Sequence, residues 1–348
     1  MKKSVKKVIA AAMAAMMAAS LAACGSSGAA SSSAASSEAA GSEAASGEAA
    51  ESKAADASGK TYKIGVLQLV QHAALDAANK GFVEALDESG ISYEIDQQNA
   101  AGDTATSTTI AQKFVTDGDD LIFAIATGAA QAAAAETKDI PIVLTAVTDP
   151  ADSGLVSSNE EPGGNVTGTS DLTPVADQIK LIKQILPDAK TVGILYCSAE
   201  SNSQIQVQMA HEACEAEGLT AEDYSVANSN DIQTVVESMV GKVDVIYAPT
   251  DNTIAAGMAT VAMIANENKL PTIVGEQGMC DAGGLATYTI DYTELGKQAG
   301  EMAVEILKDG KNPAEMPIEY YPSDKLKLVV NQETADALGI DVSGLQAE

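Results

Sequence analysis

Acidic side chains at the ends of predicted strands are the main candidates for chemistry in this chain. The stretch VDVIYAPTDN at 243–252 reads as an apolar strand buried on both faces, and a helical pattern starts directly after Asp251. Asp251 is therefore expected at the carboxyl end of a strand, the edge at which open α/β sheets bind ligands. The carboxylate either contributes to such a ligand site or only caps the helix.

Residue types that usually carry catalysis form no recognisable constellation. The two histidines, His72 and His211, and the four cysteines are not spaced as a nucleophile–base pair or a zinc site. No GxSxG elbow, HExxH helix or Walker loop occurs, and the glycine-rich GGNVTGTS does not follow a strand–helix phosphate pattern. A binding protein is therefore favoured over an enzyme, without catalytic residues, cofactors or a metal.

Composition limits the partners. The 348 residues include 49 acidic and 20 basic side chains, for a net charge of −29, so no nucleic acid or anionic membrane surface is expected as a partner. All the basic residues are lysines, and there is no tryptophan. Cys197, Cys214 and Cys280 are an odd number without a disulfide framework, and we expect them to be small buried side chains.

The first 24 residues have the pattern of an export signal. Four lysines precede a short apolar run, and LAAC ends it, which resembles the cleavage box of bacterial lipoproteins. The resemblance implies that Cys24 is lipidated and becomes the mature N-terminus. Residues 25–60 are mainly Ala, Ser, Gly and Glu without large apolar side chains, which predicts a flexible, solvated tether.

From residue 61 on, predicted strands and helices alternate, as is typical of a parallel sheet covered on both sides. A first unit has strands at 63–69, 92–97, 121–126 and 142–145 and helices at 73–89, 104–116 and 128–137. The order then repeats, with strands at 191–197, 222–226, 243–248 and 272–274 and helices at 204–217, 232–240 and 252–266. Two similar units predict two lobes, and a cleft between lobes is a natural small-molecule site.

Three segments are predicted to join the lobes. A crossover lies at 162–174, a return strand within 283–296 leads into a helix at 292–308, and a strand at 325–330 precedes a helix at 333–338. The predicted fold is α/β, with two doubly wound parallel-sheet lobes and a three-crossover hinge that bends without shearing. The expected lobes are 61–170 with 291–323, and 171–290 with 324–340.

Several segments together resemble one known family. They are IGVLQLVQHAALDAANKGF, IAQKFVTDGDDLIFAIATGAAQAA, IPIVLTAVTDPADSGLV, GGNVTGTSDLTP, VDVIYAPTDNT, PTIVGEQGM and IDYTELGKQAGEMAVEIL. Across nearly all of 61–340 the chain is similar to the solute-binding lipoproteins of ABC importers with the type I periplasmic-binding fold. More narrowly, it resembles the group associated with tryptophan and tyrosine uptake. Gly128 and Ala73 depart from that group, because proline is expected at both positions.

An α-amino acid, the ligand that this resemblance implies, needs donors for its carboxylate. Without arginine, the remaining donors are backbone amides at helix N-termini and hydroxyl groups. Thr127, Gly128 and Ala129 offer both after the third strand, and Thr145 and Ala146 are the second candidate after the fourth strand. Either threonine can instead be a plain cap.

The ligand ammonium needs acceptors, and a carboxylate in a water-poor site suits it best. Asp251 and Glu276 stand at equivalent strand ends of the second unit, and Asp171 lies at the first crossover. Asn252 is expected to orient the neighbouring Asp251.

Two strand tips are expected to form the side-chain pocket. Gln71 and His72 lie at the tip of the first strand, where His72 is a polar cleft residue or a cap. Tyr196, at the equivalent tip of the second unit, either stacks on a ligand ring or packs in the core. His211 lies on a predicted exposed helix and has no expected role.

The expected protein is a monomer, lipid-anchored at the extracytoplasmic face of a bacterial cell membrane. It captures a small zwitterion, an aromatic amino acid, and delivers it to an ABC permease. One alternative is a sugar or nucleoside binding protein of the same fold, although such sites usually sandwich rings between aromatic side chains, which make up only 3% here. Another alternative is a sensor that passes its ligand state to a membrane receptor.

Overall fold

The computed structural model describes residues 59–345, in which strands and helices alternate. The strands are β1 (Thr61–Gln68), β2 (Ser92–Asn99), β3 (Leu121–Ile125), β4 (Ile142–Val147), β5 (Val166–Ser170), β6 (Thr191–Cys197), β7 (Thr220–Val226), β8 (Val245–Ala248), β9 (Thr272–Val274), β10 (Ala286–Thr289), β11 (Glu319–Tyr320) and β12 (Lys327–Val330). The helices are α1 (Ala73–Ser89), α2 (Thr104–Asp117), α3 (Thr127–Glu136), α4 (Val175–Ile185), α5 (Ser201–Ala216), α6 (Ile232–Met239), α7 (Asn252–Ala256), α8 (Met258–Glu267), α9 (Gln277–Asp281), α10 (Tyr292–Asp309) and α11 (Gln332–Leu338).

The predicted export signal, the lipidation site Cys24 and the predicted tether up to residue 58 lie outside the described residues. Within residues 59–345, no helix has both the length and the apolar character needed to cross a bilayer.

The described strands form two six-stranded sheets, with the orders β11-β5-β4-β3-β1-β2 and β12-β10-β9-β8-β6-β7. Neighbouring strands run parallel except for β10 and β12. The central strands LIFAI (β3) and VIYA (β8) are buried along their whole length, as strands covered on both faces require. The predicted fold of two mostly parallel α/β lobes is confirmed.

The chain passes between the sheets three times, from β5 to α4, from β10 to α10 and from β11 to β12. These passages are the three crossovers of the predicted hinge, whereas the predicted lobe boundaries stay predictions. The sequence reading missed α4, α9, β5 and β11. It missed β5 because VTGTS is rich in glycine and threonine and resembles a loop. Gly168 is needed in it, since its φ is +143° and a Cβ there would lie 2.0 Å from the Leu144 carbonyl oxygen.

Helices α1 and α10 are packed so closely that glycine is required at their contact. A Cβ on Gly81 would lie 1.9 Å from the carbonyl oxygen of Thr293, and a Cβ on Gly296 would lie 1.9 Å from that of Ala78. The pair lies against the first sheet, where Phe82 of α1 stacks on Phe123 of β3 with ring centroids 3.7 Å apart. The returning chain is thereby held on the first lobe.

The single helix predicted at 252–266 is wrong, because the structure has two helices separated at Gly257. A Cβ on Gly257 would lie 2.3 Å from Cδ1 of Ile232 in α6, so glycine lets the two segments lie close together. The short helix α7, which starts at the edge of the sheet, is therefore a separate helix from α8.

Buried thiols account for the cysteines of the described residues. Cys197, Cys214 and Cys280 are free and buried, as predicted.

His211 lies on α5, where its Nε2 is 2.7 Å from Oδ1 of Asp223. Its side chain is partly exposed, and it lines neither of the cavities described below.

Candidate ligand-binding cleft

Two adjoining cavities lie where β1, β3, β6 and β8 end. The outer cavity has a volume of about 320 Å³ and the inner one about 10 Å³. The outer cavity is lined by Leu69, Val70, Ala101, Gly102, Asp103, Thr104, Thr127, Gly128, Gln131, Cys197, Ala199, Glu200, Ser201, Asn202, Ala227, Asn228, Ser229, Asn252, Thr253 and Ala256. The inner cavity is lined by His72, Leu75, Ala146, Thr148, Asp171, Asn202, Thr250, Asp251, Asn252, Ala255, Glu276 and Tyr292. Because Asn202 and Asn252 line both, the cavities form one cleft with walls from both lobes.

Three carboxylates line the inner cavity. Asp171, Asp251 and Glu276 are only 5%, 1% and 3% exposed. Among residues 59–345, no lysine lines either cavity, and the chain has no arginine. Because a buried carboxylate without a counter-charge is unfavourable, the inner cavity favours a cationic group.

Asp251 caps α7, and protein donors occupy both of its oxygens. Oδ1 accepts from the Ile254 amide at 2.8 Å, and Oδ2 accepts from the Cys197 amide and the Ser203 hydroxyl, each at 2.6 Å. Burial, and then the charge of Glu200, raises the pKa of Asp251 to about 7. The carboxylate thus joins α7 to β6 and α5 within the second lobe, which is the capping interpretation left open above.

Glu276 has a similar position at the start of α9. Its carboxylate accepts from the amides of Gly278 and Met279, at 2.5 and 2.7 Å. Burial raises its pKa to about 7, and the hydrogen bonds from those two amides act against the shift. Like Asp251, it is a cap whose side chain also lines the inner cavity.

Asp171 has the largest unused acceptor capacity of the three. The hydroxyl of Tyr292 donates to its Oδ2 at 2.9 Å, whereas its Oδ1 has only a contact of 3.5 Å with the Thr148 hydroxyl. Burial raises the pKa of Asp171 to about 6, and the bond from Tyr292 acts in the opposite direction. Asp171 lies between β5 and α4, at the first crossover, so a ligand bound to it would contact the hinge.

The Asp171→Asn variant of the ligand-free protein is expected to gain stability over wild type as the pH rises. The pKa of Asp171 is raised from 3.8 to about 6, so between these values the folded protein binds the proton more tightly than the unfolded chain. Ionisation then removes stability from wild type, while the neutral asparagine is unaffected. The melting temperature of the variant minus that of wild type should increase by several degrees between about pH 4 and pH 6 and then level off. A difference that does not change with pH would contradict this expectation.

Unpaired donors collect at the start of α3. The Thr127 hydroxyl is buried and has no hydrogen-bond partner among the described residues. The first-turn amides of a helix have no carbonyl partner within the helix, and the first turn of α3 carries no acidic side chain. These donors suit an anionic ligand group.

Backbone strain also occurs at this edge of the first sheet. Two non-glycine residues there, Ala126 (83°) and Ala146 (55°), have a positive φ, and such strain is often found at binding sites.

Hydrogen bonds cross the cleft between the lobes. Nε2 of His72, before α1, lies 3.3 Å from Oδ1 of Asn252 in α7. Nε2 of Gln206 in α5 lies 3.3 Å from the hydroxyl of Thr148, which follows β4. The two lobes are therefore in direct contact next to the inner cavity.

Eight of the residues predicted for the ligand site line the cleft. They are His72, Thr127, Gly128, Ala146, Asp171, Asp251, Asn252 and Glu276. The structure does not bring the other four there. Gln71 is exposed outside both cavities, and the side chain of Ala129, in the first turn of α3, is buried in the core of the first lobe. Thr145 points into the first lobe, where its hydroxyl lies 2.9 Å from that of Thr169. Cys197 lines the outer cavity, and the neighbouring Tyr196 faces the opposite side of β6. Tyr196 therefore packs against the core of the second lobe.

The sequence reading overlooked the polar cluster that follows β6. Glu200, Asn202, Ser203 and Gln206 lie on or just before α5 and contact the ends of β8 and α7. The repeated order of the two units contained a signal for them, because the end of β6 corresponds to the end of β1, where Gln71 and His72 are expected to contact the ligand. Tyr292, the partner of Asp171, had no comparable signal.

The arrangement of possible metal ligands also bears on what the cleft can bind. Within residues 59–345, no group of three or more His, Cys, Asp or Glu side chains is arranged to hold a metal ion. Asp171, Asp251 and Glu276 thus line one cavity without converging as metal ligands.

Comparison with known proteins places this geometry in a family. The family model described as ABC transporter substrate-binding protein matches residues 63–344. A tyrosine-binding protein of Clostridioides difficile is 44% identical over 295 residues, which are 84% of each chain. A crystal structure of an ABC domain in complex with L-Trp from Streptococcus pneumoniae is 41% identical, with a TM-score of 0.79 over 81% of this chain and 96% of that one.

A second solved relative differs in its reported state. The ligand-free, open structure of a substrate-binding protein with adhesive properties from Clostridium difficile is 45% identical and has a TM-score of 0.62, over 80% of this chain and 95% of that one. The sequence identity is slightly higher than for the L-Trp complex, yet the structural similarity is lower. Over the whole chain, the present structure is therefore more similar to the L-Trp complex than to the open protein.

Proposed function

The chain belongs to the family of ABC transporter substrate-binding proteins, and we propose that it captures a free aromatic amino acid, L-tyrosine or L-tryptophan, in the cleft between its lobes. Proteins of this family act outside the cytoplasm together with an ABC permease. The chain binds its solute stoichiometrically, without converting it, and passes it to the permease. The two relatives named with L-Trp and tyrosine support an aromatic ligand.

The distribution of unpaired groups in the cleft carries this proposal. The inner cavity presents Oδ1 of Asp171, which accepts only a long hydrogen bond of 3.5 Å from the Thr148 hydroxyl, and among the described residues no lysine lines either cavity. The outer cavity presents the Thr127 hydroxyl and the first-turn amides of α3, which lack acceptors. A zwitterion complements both sets, with its ammonium at Asp171 and its carboxylate at α3. A neutral sugar would leave the charge of Asp171 uncompensated.

The remaining part of the outer cavity holds the ligand side chain. The whole outer cavity has a volume of about 320 Å³, which lies at the lower end of the range for small-molecule sites. Its apolar walls come from Leu69, Val70, Cys197, Ala199, Ala227 and Ala256. No aromatic side chain of the described residues lines it, so the ligand ring is held by aliphatic contacts.

Closure and anchoring complete the proposal. The lobes close as two bodies about the three crossovers, with the zwitterion joining the first lobe and the hinge. Lipidation at Cys24 would hold the monomer at the outer face of the membrane, and residues 25–60 would act as its tether.

Fluorescence of the ligand itself tests the proposed function. The chain contains no tryptophan, so excitation at the red edge of the indole band, where tyrosine absorbs little, reports only added L-tryptophan. A saturable spectral shift at one ligand per chain, reversed by L-tyrosine, supports the proposal. Absence of binding by both amino acids, together with calorimetric binding of a sugar or nucleoside, would refute it. Conversion of the bound solute would also refute it.

The Thr127→Val variant is expected to bind the amino acid about 1.5–3 kcal/mol more weakly, since it loses a hydrogen bond to the charged carboxylate. Valine matches the shape of threonine, so the fold should be unchanged. Fluorescence titration measures the loss, and Thr127→Ser should restore most of the affinity. Thr109→Val on the exposed face of α2 is the matched control. Equal affinities for Thr127→Val and wild type would show that the hydroxyl does not contact the ligand.

A further inference from the structure

The two ring nitrogens of His72 have different surroundings. His72 precedes α1 and lines the inner cavity, and its Nε2 lies 3.3 Å from Oδ1 of Asn252 in the opposite lobe. Its Nδ1 is buried without a hydrogen-bond partner among residues 59–345. Because a buried polar atom without a partner is unfavourable, Nδ1 marks a position where a ligand group can form the missing bond.

The orientation of the Asn252 amide follows from Glu200. Nδ2 of Asn252 lies 2.7 Å from Oε2 of Glu200, and the same carboxylate accepts from the backbone amides of Asn252 and Thr253. Since a carboxylate only accepts, the NH₂ group of Asn252 faces Glu200, and its Oδ1 faces His72. An amide oxygen also only accepts, so Nε2 of His72 carries a proton. In a neutral ring, Nδ1 is then an acceptor with a free lone pair.

The charge state of His72 is set by its surroundings. Burial lowers the pKa of His72, while the hydrogen bond to Asn252 and the charges of Glu200 and Asp76 oppose that change. The other ionisable groups in the wall of the same cavity are Asp171, Asp251, Glu276 and Tyr292. The net direction favours the neutral ring at neutral pH.

We infer that His72 is a specificity-determining residue, whose unprotonated Nδ1 accepts a hydrogen bond from the α-ammonium group of the ligand. The inference rests on the proposed function, because it needs an amine-bearing ligand in the inner cavity. Asp171 supplies the negative charge that pairs with the ligand ammonium. His72 supplies a neutral acceptor, so the ligand nitrogen needs one N–H for Asp171 and a second N–H for His72. Glu200 and Asn252 belong to the second lobe and His72 to the first. The acceptor is therefore set in place only when the lobes meet.

Nitrogen NMR of the full chain tests this inference directly, because the chain has only two histidines. The protein is labelled with heavy nitrogen in histidine, and His211→Gln identifies the signals of His72. In the ligand-free protein at neutral pH, Nε2 should be protonated and Nδ1 unprotonated. On saturation with L-tryptophan, Nδ1 should shift in the direction of an accepted hydrogen bond, while Nε2 stays protonated. In the saturated complex, a ring protonated at Nδ1, or an Nδ1 signal unchanged from that of the ligand-free protein, would overturn the inference.

Binding by two variants supplies the second readout. His72→Phe keeps a ring but removes the acceptor, and we expect about tenfold weaker binding of L-tryptophan. His72→Gln keeps an acceptor and a donor and should recover most of that loss, whereas His211→Phe should bind as wild type does. Wild-type affinity in His72→Phe would overturn the inference and leave the proposed function intact. If wild type binds neither L-tryptophan nor L-tyrosine, the proposed function and this inference both fail.

Discussion

Replacing Asp171 by asparagine is expected to weaken binding of an aromatic amino acid by about 2–5 kcal/mol, which is roughly 30-fold to several thousand-fold. Asparagine can still accept from the Tyr292 hydroxyl, so the local packing is retained, but it removes the negative charge that faces the ligand ammonium. No lysine of the described residues lines the cleft, so the substitution leaves no buried protein cation without its counter-charge. Fluorescence titration with L-tryptophan measures the effect.

Asp223→Asn provides a matched control for Asp171→Asn. Asp223 is a partly exposed carboxylate that pairs with His211 outside the cleft, so its removal should leave the affinity unchanged. Circular dichroism and the melting temperature establish that both variants are folded. If Asp171→Asn were folded and bound L-tryptophan as tightly as wild type, Asp171 would be only a structural partner of Tyr292.

Placing an alanine at Gly296 is expected to destabilise the fold by about 3 kcal/mol or more and to lower the melting temperature by about 5–10 °C. The added Cβ would lie 1.9 Å from the backbone oxygen of Ala78, and a backbone atom in the middle of α1 cannot rotate away. Helices α1 and α10 would have to separate, which disturbs the packing of the first lobe around Phe82 and Phe123.

Gly164→Ala controls for the general effect of replacing a glycine. A Cβ at Gly164 meets no atom within 4 Å, so its melting temperature should stay close to that of wild type. Thermal unfolding of both variants without ligand makes the comparison. Similar melting temperatures would show that α1 and α10 are able to move apart without loss of packing.

Elements with a clear apolar pattern could be predicted from the sequence, and elements that depend on close backbone contacts could not. LIFAI and VIYA are continuous apolar runs typical of doubly covered strands, and the alternation of strands with helices around them made the two lobes predictable from the sequence. Strand β5 could not, because its pairing with β4 depends on the close approach of Gly168 to Leu144, which leaves no apolar signature. The break at Gly257 was hidden for the same reason, since it depends on a contact with Ile232 in another helix.

The candidate site was predictable at the level of strand ends but not of individual roles. Asp251 was expected both at a strand end and at a helix start, and it is found at both. Which role its oxygens have depends on Cys197 and Ser203, which are distant in the sequence. Thr145 and Ala146 lie where the regular alternation of β4 ends, since Ala146 has a φ of +55° and the pairing with β5 shifts its register there. Only Ala146 reaches the cleft, and the sequence carries no sign of this irregularity.

Removing one charge of the ligand at a time shows whether the cleft requires a zwitterion. Calorimetric titrations of the wild-type protein would compare L-tryptophan with indole-3-propionate, which lacks the ammonium, and with tryptamine, which lacks the carboxylate. If Asp171 and the start of α3 hold opposite charges of a zwitterion, only L-tryptophan binds tightly, and each analogue loses most of the affinity. Comparable binding of either analogue would contradict the account.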